Sequence, residues 1–388
     1  MQTVAGKTRW SPAAVVAAAL VGTRLPVLIL GALAVAIVGT VPPPAAEAVW
    51  RVSSSELANM LARWDTFFYY TIATEGYHWD AAVFRHYNVV FFPLYPMLMR
   101  WGGAILGGQP LLAGLIVSLA AFAGALFLIY RLAILELGED YGWRVVLLIS
   151  TFPYALYFSV VYTESLFLLL SVGAFYAMRR GRLMWAAIAG VLVGVTRPNG
   201  FWLALPLAWF ALAGRSDDGV HDEHERPWLS IFVACLPIAG VLVFSSYLHL
   251  QFGDALAWLH GQAAWGVPIL LRAGAPDPGR LPGEAAIKPI EVIVWAGNIA
   301  AFIAAVAAIR PISRRCGIAY GLWIAVNIFP PVAAHLFLSL GRFTSVLFPL
   351  FFWMAIRIPR ERLARVAGAF AVCQAVLAMW FFLWRPVV

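Results

Sequence analysis

Residues 89–108 read VVFFPLYPMLMRWGGAILGG, and whether this stretch crosses a membrane fixes the side of every loop that follows. Its length and apolar content would let it pass for a span of roughly 20 residues. Three features argue against that reading: Pro93 and Pro96 near its start, Arg100 in its middle, and the glycine pairs Gly102–Gly103 and Gly107–Gly108 at its end. A re-entrant or interfacial piece, tolerated where protein or water covers irregular backbone, fits better. Counting 89–107 as a span would also move every later arginine cluster to the side opposite Lys7 and Arg9, against the tendency of basic residues to collect on one face.

The rest of the chain is as apolar as this stretch. Of 388 residues, 62% are hydrophobic and only 12% charged, where soluble domains carry roughly 25% charge. An all-α polytopic membrane protein follows, with 1–388 as a single transmembrane domain, because no polar stretch is long enough to fold alone. Apolar spans are expected at about 12–40, 110–135, 143–161, 163–179, 183–196, 199–214, 229–250, 291–309, 317–337, 343–357 and 366–384, about eleven helices. With the N-terminus inside, 16 of the 27 Lys and Arg fall in inner loops, as the positive-inside rule requires. Residues 41–108 then form a first outer loop with interfacial or re-entrant segments, and 253–290 a second. The run after Lys7 and Arg9 ends in no clean small-residue cleavage site, so it reads as a retained helix.

The formal charge of +8 is explained by this topology, and no nucleic-acid motif accompanies it. Arg outnumbers Lys 25 to 2, a bias that suits a GC-rich bacterial genome; the expected location is a bacterial cytoplasmic membrane with an outward site, or the endoplasmic reticulum if the source is eukaryotic. Cys235, Cys316 and Cys373 have no ligand spacing and read as small hydrophobes. Arg24, just before Pro26, reads as a snorkelling residue at a span end. The segment 215–226, RSDDGVHDEHER, reads as a solvated inner loop. Without HExxH, CxxC or a paired Asp-x-Asp, no metal and no cofactor are expected.

Placed on this topology, the polar clusters share the outer side: RWD (63–65), GYHWD (76–80), FFPLYP (91–96), YTES (162–165), TRPNG (196–200), QAAW (262–265) and LGRF (340–343). Ionisable groups near membrane depth are costly, so their convergence marks a site. A carboxylate in a partly dry aromatic cavity can serve as general base; Asp65 and Asp80 are the first candidates and Glu164 the third. Arg63, Arg197 and Arg342 offer permanently charged clamps for phosphate. Each has a blander reading beside it. Arg63 and Asp65 could form a structural ion pair, Phe67 to Tyr70 an interfacial aromatic belt, and His78, His86, His260 and His335 ordinary hydrogen-bonded histidines.

The set Arg63-Trp64-Asp65, Gly76-Tyr77, Phe91-Phe92-Pro93-Leu94-Tyr95-Pro96, Tyr162-Thr163-Glu164-Ser165, Arg197-Pro198-Asn199-Gly200 and Gly341-Arg342-Phe343, then Leu347-Phe348-Pro349, resembles the PIG-V-like mannosyltransferases in content and order over about 60–350. The resemblance implies a GT-C type glycosyltransferase fold and a polyprenyl-phosphate-mannose donor. It also implies inverting transfer on the lumenal or periplasmic face, and an essential aspartate in the first outer loop, here Asp65. The compact chain lacks the longer outer insertions of eukaryotic members, and a bacterial source would have no glycosylphosphatidylinositol anchor to build, which leaves the acceptor open between a phosphoinositol mannolipid, a glycan and a secreted protein.

On that basis the expected catalytic residues are Asp65 as base and Arg63 orienting Asp65 or the acceptor, with Arg197 and Arg342 on the donor phosphate. Trp64, Tyr77, His78, Asp80, Tyr95, Tyr162, Glu164, Asn199, Gln262 and Trp265 are the expected substrate contacts. Two other classes compete. A flippase or transporter of lipid-linked sugar would place its polar groups near the midplane on repeated, broken helices. An outer-face glycan ligase or polymerase would favour a large Arg- and His-rich loop, where 253–290 has only Arg272, Arg280, Lys288 and His260.

Overall fold

The computed structural model describes residues 11–40, 51–83, 85–213, 227–265, 289–333 and 339–385. The expectations for Lys7, Arg9, 215–226, Arg272, Arg280, Lys288 and His335 lie outside these, as does the Trp265 side chain. Among the described residues every regular element is helical. Helix α1 (Pro12–Val38) starts where the Ser11 side chain accepts from the Ala14 amide and Pro12 presets the first turn. The chain then makes an excursion through three short helices, α2 (Glu56–Asn59), α3 (Thr66–Thr74) and α4 (Leu94–Ile105). The opening stretch of sequence is therefore a 3-10 turn followed by α4. Its 12 residues reach about 18 Å at 1.5 Å each, well short of the roughly 30 Å hydrocarbon core. The helix folds back along the next one so closely that a Cβ on Gly103 would lie 2.8 Å from the Pro110 Cα.

Beyond it come α5 (Pro110–Leu137), α6 (Gly142–Thr151), α7 (Glu164–Arg179), α8 (Leu183–Gly194), α9 (Ala204–Ala213) and α10 (Pro227–Phe252). The short α11 (Ala257–His260) is followed by α12 (Pro289–Arg315), α13 (Ile318–Ala333), α14 (Leu340–Ser345), α15 (Phe348–Arg357) and α16 (Arg360–Phe382). Helices α1, α5, α10, α12 and α16 each contain an apolar stretch long enough to cross a bilayer, which makes this an integral, multi-pass membrane protein.

Of the remaining expected spans, 163–179, 183–196 and the described part of 317–337 are single shorter helices, whereas 143–161, 199–214 and 343–357 are interrupted. The 3-10 segment Pro153–Ser159 meets α7 at 99°; α8 gives way to the 3-10 segment Pro198–Leu203 before α9, and α14 breaks before α15. A proline stands at the first or second position of the 3-10 segments Pro153–Ser159 and Pro198–Leu203 and of α15, at Pro153, Pro198 and Pro349 in turn, because proline lacks the amide needed to continue a helix yet suits its first turn. The polar motifs YTES and TRPNG lie at two of these breaks.

Packing corrects two readings of the sequence. Arg24 does not snorkel: it is 3% exposed and is held by the backbone that the break after α6 releases. Its guanidinium donates to Ser150 O at 2.5 Å, Ser159 Oγ at 3.1 Å, Gln374 Oε1 at 2.9 Å and the Ala155 carbonyl, so one cation satisfies acceptors that lipid could not. Nor is the 67–70 aromatic run wholly an interfacial belt. Phe68 and Tyr69 are buried, Phe68 stacked on Phe91 with centroids 4.7 Å apart and Tyr69 hydrogen-bonded to Thr163 Oγ1 at 3.2 Å.

Candidate active site

Four charged side chains from four distant segments meet in one line: Asp65, Arg342, Glu164 and Arg197. Asp65 stands at the head of α3, where Trp64 turns the chain with φ 52. A bulky residue in the left-handed region costs about 1–3 kcal/mol and marks an over-determined site. The turn is fixed by the Asp65 amide, which donates to Tyr162 Oη at 3.2 Å, and by the Trp64 ring against Trp384, with centroids 5.6 Å apart. It sends the two charges of RWD to different partners. Arg63 turns inward, fully buried, donating to Asn59 O at 2.6 Å and Phe382 O at 3.0 Å with its guanidinium over Trp384. Burial lowers its pKa to about 10, so it stays charged at neutral pH. Among the described residues it pairs with no part of Asp65, so neither the structural ion pair nor the orienting contact expected between them forms.

Asp65 Oδ2 instead receives Arg342 Nη1 at 2.5 Å. Arg342, on α14, lies between the rings of Tyr157 and Tyr162, 5.3 and 4.5 Å from their centroids, and its Nε donates to Glu164 Oε1. The same oxygen accepts from Arg197 Nη1 at 2.9 Å. Glu164 is the first residue of α7, where the unpaired amides and the positive end of the helix dipole favour a carboxylate. The charges alternate and sum to zero, which is what lets two carboxylates and two guanidinium groups remain ionised with so little water.

Exposure divides their roles. The side chain of Glu164 is 0% exposed and that of Arg342 9%, whereas Arg197 is 11% and Asp65 20% exposed. Asp65 and the outer parts of the arginines are open at the surface of the line, and Glu164 is not. Measured along α7, Glu164 lies 15 residues from Arg179, about 23 Å at 1.5 Å per residue. The line of charge is thus recessed from the arginine-rich end of the bundle by most of a bilayer core.

The other expected contacts divide in two. Beside the charged line are Tyr162, Trp64 and Asn199; Asn199 donates to Asn327 Oδ1 at 2.8 Å, a partner that sequence reading missed. Tyr157, also missed because it sits in an apolar run, borders Arg342. Its hydroxyl is buried without a partner among the described residues, as are Glu164 Oε2, Ser165 Oγ and Trp64 Nε1. Unpaired polar atoms so placed are unusual in a native interior and concentrate where a ligand or water is bound.

The rest are not drawn into the line. Tyr95 is 0% exposed and bonds Gly114 O at 2.8 Å and Ser118 Oγ at 2.7 Å where α4 meets α5. Tyr77 donates to Phe91 O at 2.8 Å against Phe244 and Tyr247. Exposed His78 lies 3.8 Å from Glu75, and Asp80 accepts from the Ala82 amide at 2.9 Å, closing a surface turn. Gln262 sits half-buried in the 3-10 segment Gly261–Trp265, whose Gly261 packs on Val90 and Trp79. Of these, only the Gly261–Trp265 segment brings the chain after α10 against the excursion before α4.

This is a multi-pass membrane protein with a buried carboxylate–guanidinium line whose most exposed member is Asp65. Residues 36–261, 226 of the 388, match the family model described as Mannosyltransferase (PIG-V). The chain belongs to that family. The matched segment contains Asp65, Glu164 and Arg197, and Arg342 lies beyond it. The human GPI alpha-1,6-mannosyltransferase 2 is 26% identical over 154 residues, 37% of this chain but only 30% of that protein. Among solved structures, the apo oligosaccharyltransferase of Archaeoglobus fulgidus aligns with 94% of this chain and 56% of its own at 13% identity and a TM-score of 0.47. The same enzyme in complex with Zn and sulfate covers 92% and 52% at 16% identity, TM-score 0.47.

Proposed function

We propose that this chain is a GT-C type mannosyltransferase that moves mannose from a polyprenyl-phosphate-mannose donor to a hydroxyl of a lipid or glycan acceptor, on the outer face of a bacterial cytoplasmic membrane. Family membership supports the reaction class, and the line Asp65–Arg342–Glu164–Arg197 is the observation that carries the roles. The acceptor oxygen attacks the anomeric carbon from the side opposite the phosphate, so the configuration inverts. As the C–O bond to phosphate breaks, the hydroxyl proton passes to the Asp65 carboxylate, a transfer worth about 10² to 10⁴ in rate. Negative charge grows on the departing polyprenyl phosphate, where Arg342 and Arg197 stabilise it electrostatically. Glu164 touches no substrate; it holds both guanidinium groups in register. Trp64 and Asn199, both part-exposed, line the sugar, and the buried rings of Tyr157 and Tyr162 hold the Arg342 guanidinium between them. Arg63, Tyr95, Tyr77 and Asp80 shape the fold around them.

The pairing of Asp65 with Arg342 adds an order to the steps. The Asp65 oxygen that Arg342 occupies is not open to the acceptor hydroxyl. Donor phosphate draws Arg342 toward itself, and Asp65 becomes a competent base only once the donor is seated.

The test uses purified protein in lipid with labelled polyprenyl-phosphate mannose and a crude acceptor-lipid extract. Wild type should transfer label, and a folded Asp65→Asn variant should lose it by about 10² or more. Transfer that survives this change would move the base to another carboxylate. If wild type transfers nothing, transport of the lipid-linked sugar becomes the reading, checked by donor movement across sealed vesicles.

A further inference from the structure

At the end of the bundle opposite Asp65 lies a groove of about 1740 Å³ that the proposed transfer does not use. Its walls are α1, α5 and α6, with α7 and α16 contributing at the mouth. Along α1 it runs from Ser11 to Thr23, 12 residues or about 18 Å at 1.5 Å each, close to the depth of one leaflet in a core of roughly 30 Å. Its apolar lining is formed by Val15, Ala19, Ile134, Leu135 and Val146. Its mouth carries Arg180 and Arg360 against Glu139 and Asp140, with Arg131 further in along α5, three positive charges to two negative. Arg360 lies over the Trp143 ring, 6.0 Å from its centroid. The stretches 131–144, 179–182, 310–315 and 357–365 at this end hold 12 Arg and 4 acidic residues, so the mouth opens into a field of net charge 12 − 4 = +8. Arg180 is 16 residues from Glu164 along α7, about 24 Å, so the groove is separate from the charged line.

We infer that this groove is a binding site for one anionic phospholipid of the arginine-rich leaflet, its phosphate between Arg131 and Arg360 and its acyl chains along α1. The occupant follows from charge and shape together. Basic mouths between membrane helices on the positive side take anionic head groups, and the gain is about fivefold for each arginine near the surface. A zwitterionic lipid fills the apolar part equally well but gains nothing from the net positive mouth. The floor of the groove also matters to the fold. Thr23, its deepest residue on α1, accepts from Arg24 Nε at 3.1 Å, so the acyl chains end beside the arginine that holds the break after α6.

Gly22 supplies the test. It lines the groove, and a Cβ added there meets nothing within 4 Å, so Gly22→Leu fills the space without disturbing a neighbour. The purified full-length protein is reconstituted in phosphatidylcholine nanodiscs containing a minor fraction of phosphatidylglycerol, and the lipids it retains are counted by native mass spectrometry. Wild type should keep one phosphatidylglycerol per chain under conditions that strip phosphatidylcholine. Gly22→Leu should lose it while its unfolding midpoint stays unchanged, and Arg131→Gln/Arg360→Gln should weaken retention by roughly 25-fold. If Gly22→Leu does not fold, Ala18→Leu blocks the same groove from the exposed side of α1. Equal retention of both lipids by wild type, or retention that survives the blocking variant, would overturn the assignment.

Discussion

Arg342 grips Asp65 across 277 residues of chain, Nη1 to Oδ2 at 2.5 Å, while the Nε of the same guanidinium holds Glu164. Two carboxylates in different directions require the planar fork of an arginine; a lysine ammonium is a single point charge. Arg342→Lys should therefore fold yet lose turnover by about 10² to 10³, the usual cost of removing one transition-state donor. Labelled mannose transfer at saturating donor measures it. The release of Asp65 by donor phosphate has its own readout: carbodiimide modification of Asp65, followed by peptide mass spectrometry, should rise in wild type when polyprenyl phosphate is added and should be indifferent to it in Arg342→Lys. Equal reactivity with and without polyprenyl phosphate in wild type would sink the ordered sequence.

Glu164 should behave as a structural anion with a catalytic consequence. Glu164→Gln leaves Arg197 and Arg342 buried with Asp65 as their only carboxylate in the line. Removing one partner of a buried ionic set costs about 3–5 kcal/mol. A lowered thermal unfolding midpoint in detergent is expected, with a raised KM for donor in whatever protein folds. An unchanged midpoint would mean that the two arginines do not depend on this carboxylate.

The opposite pattern is expected at Arg63. Its two carbonyl acceptors lie in the α2 turn and at the end of α16, so Arg63→Gln should destabilise the fold by about 2–3 kcal/mol through lost charged hydrogen bonds. The kcat of the folded fraction should stay within about twofold of wild type, since no reacting group touches this residue. A large fall in kcat at constant stability would return Arg63 to the catalytic set.

The turn that carries Arg197 depends on close helix packing. A Cβ at Gly194 would sit 2.1 Å from Pro237 O and 3.0 Å from the Gly240 Cα. Gly190 and Gly194, four apart on α8, let the α10 backbone approach as small-residue pairs do in membranes. Gly194→Ala must push the helices apart, moving Arg197 three residues on. Both a lower unfolding midpoint and a loss of transfer larger than stability accounts for are expected, read by thermal scan and activity on the same preparation.

Much of the charged line could be read from the chain before folding, because each member is a charge stranded in apolar sequence. Asp65, Glu164, Arg197 and Arg342 stand out for that reason, and counting loops puts them on one face. The partners within the line could not be read. Arg63 and Asp65 are two residues apart, and only the left-handed φ of Trp64 sends them in different directions. Arg24 looks like a helix-end cation until the break at Thr151–Pro153 reveals the carbonyls it serves. Tyr157 hides in an apolar run, with Pro153 the sole warning that the run is not one helix. The half-length helices have the same origin: hydropathy counts apolar residues and does not register a 99° bend. The GVLVG spacing at 190–194 was legible as a packing face and went unread.

The alternation of charge also has a history in time. Glu164 and Arg342 are separated by 178 residues, and chains emerge from the ribosome at roughly 5–20 residues per second. For about 10–35 s, then, the emerging protein holds Glu164 without the arginine that is to lie closest to it. Asp65 waits longer still. Arg197 arrives early enough to shelter Glu164, whereas nothing shelters Asp65 until α14 is made. The early helices must therefore lodge in the membrane while the aspartate is still wet, and the chamber shuts only when the carboxy-terminal quarter is delivered. A chain cut short before Arg342 would be an inserted bundle with an open wound, the kind of substrate that membrane quality-control proteases are expected to find first.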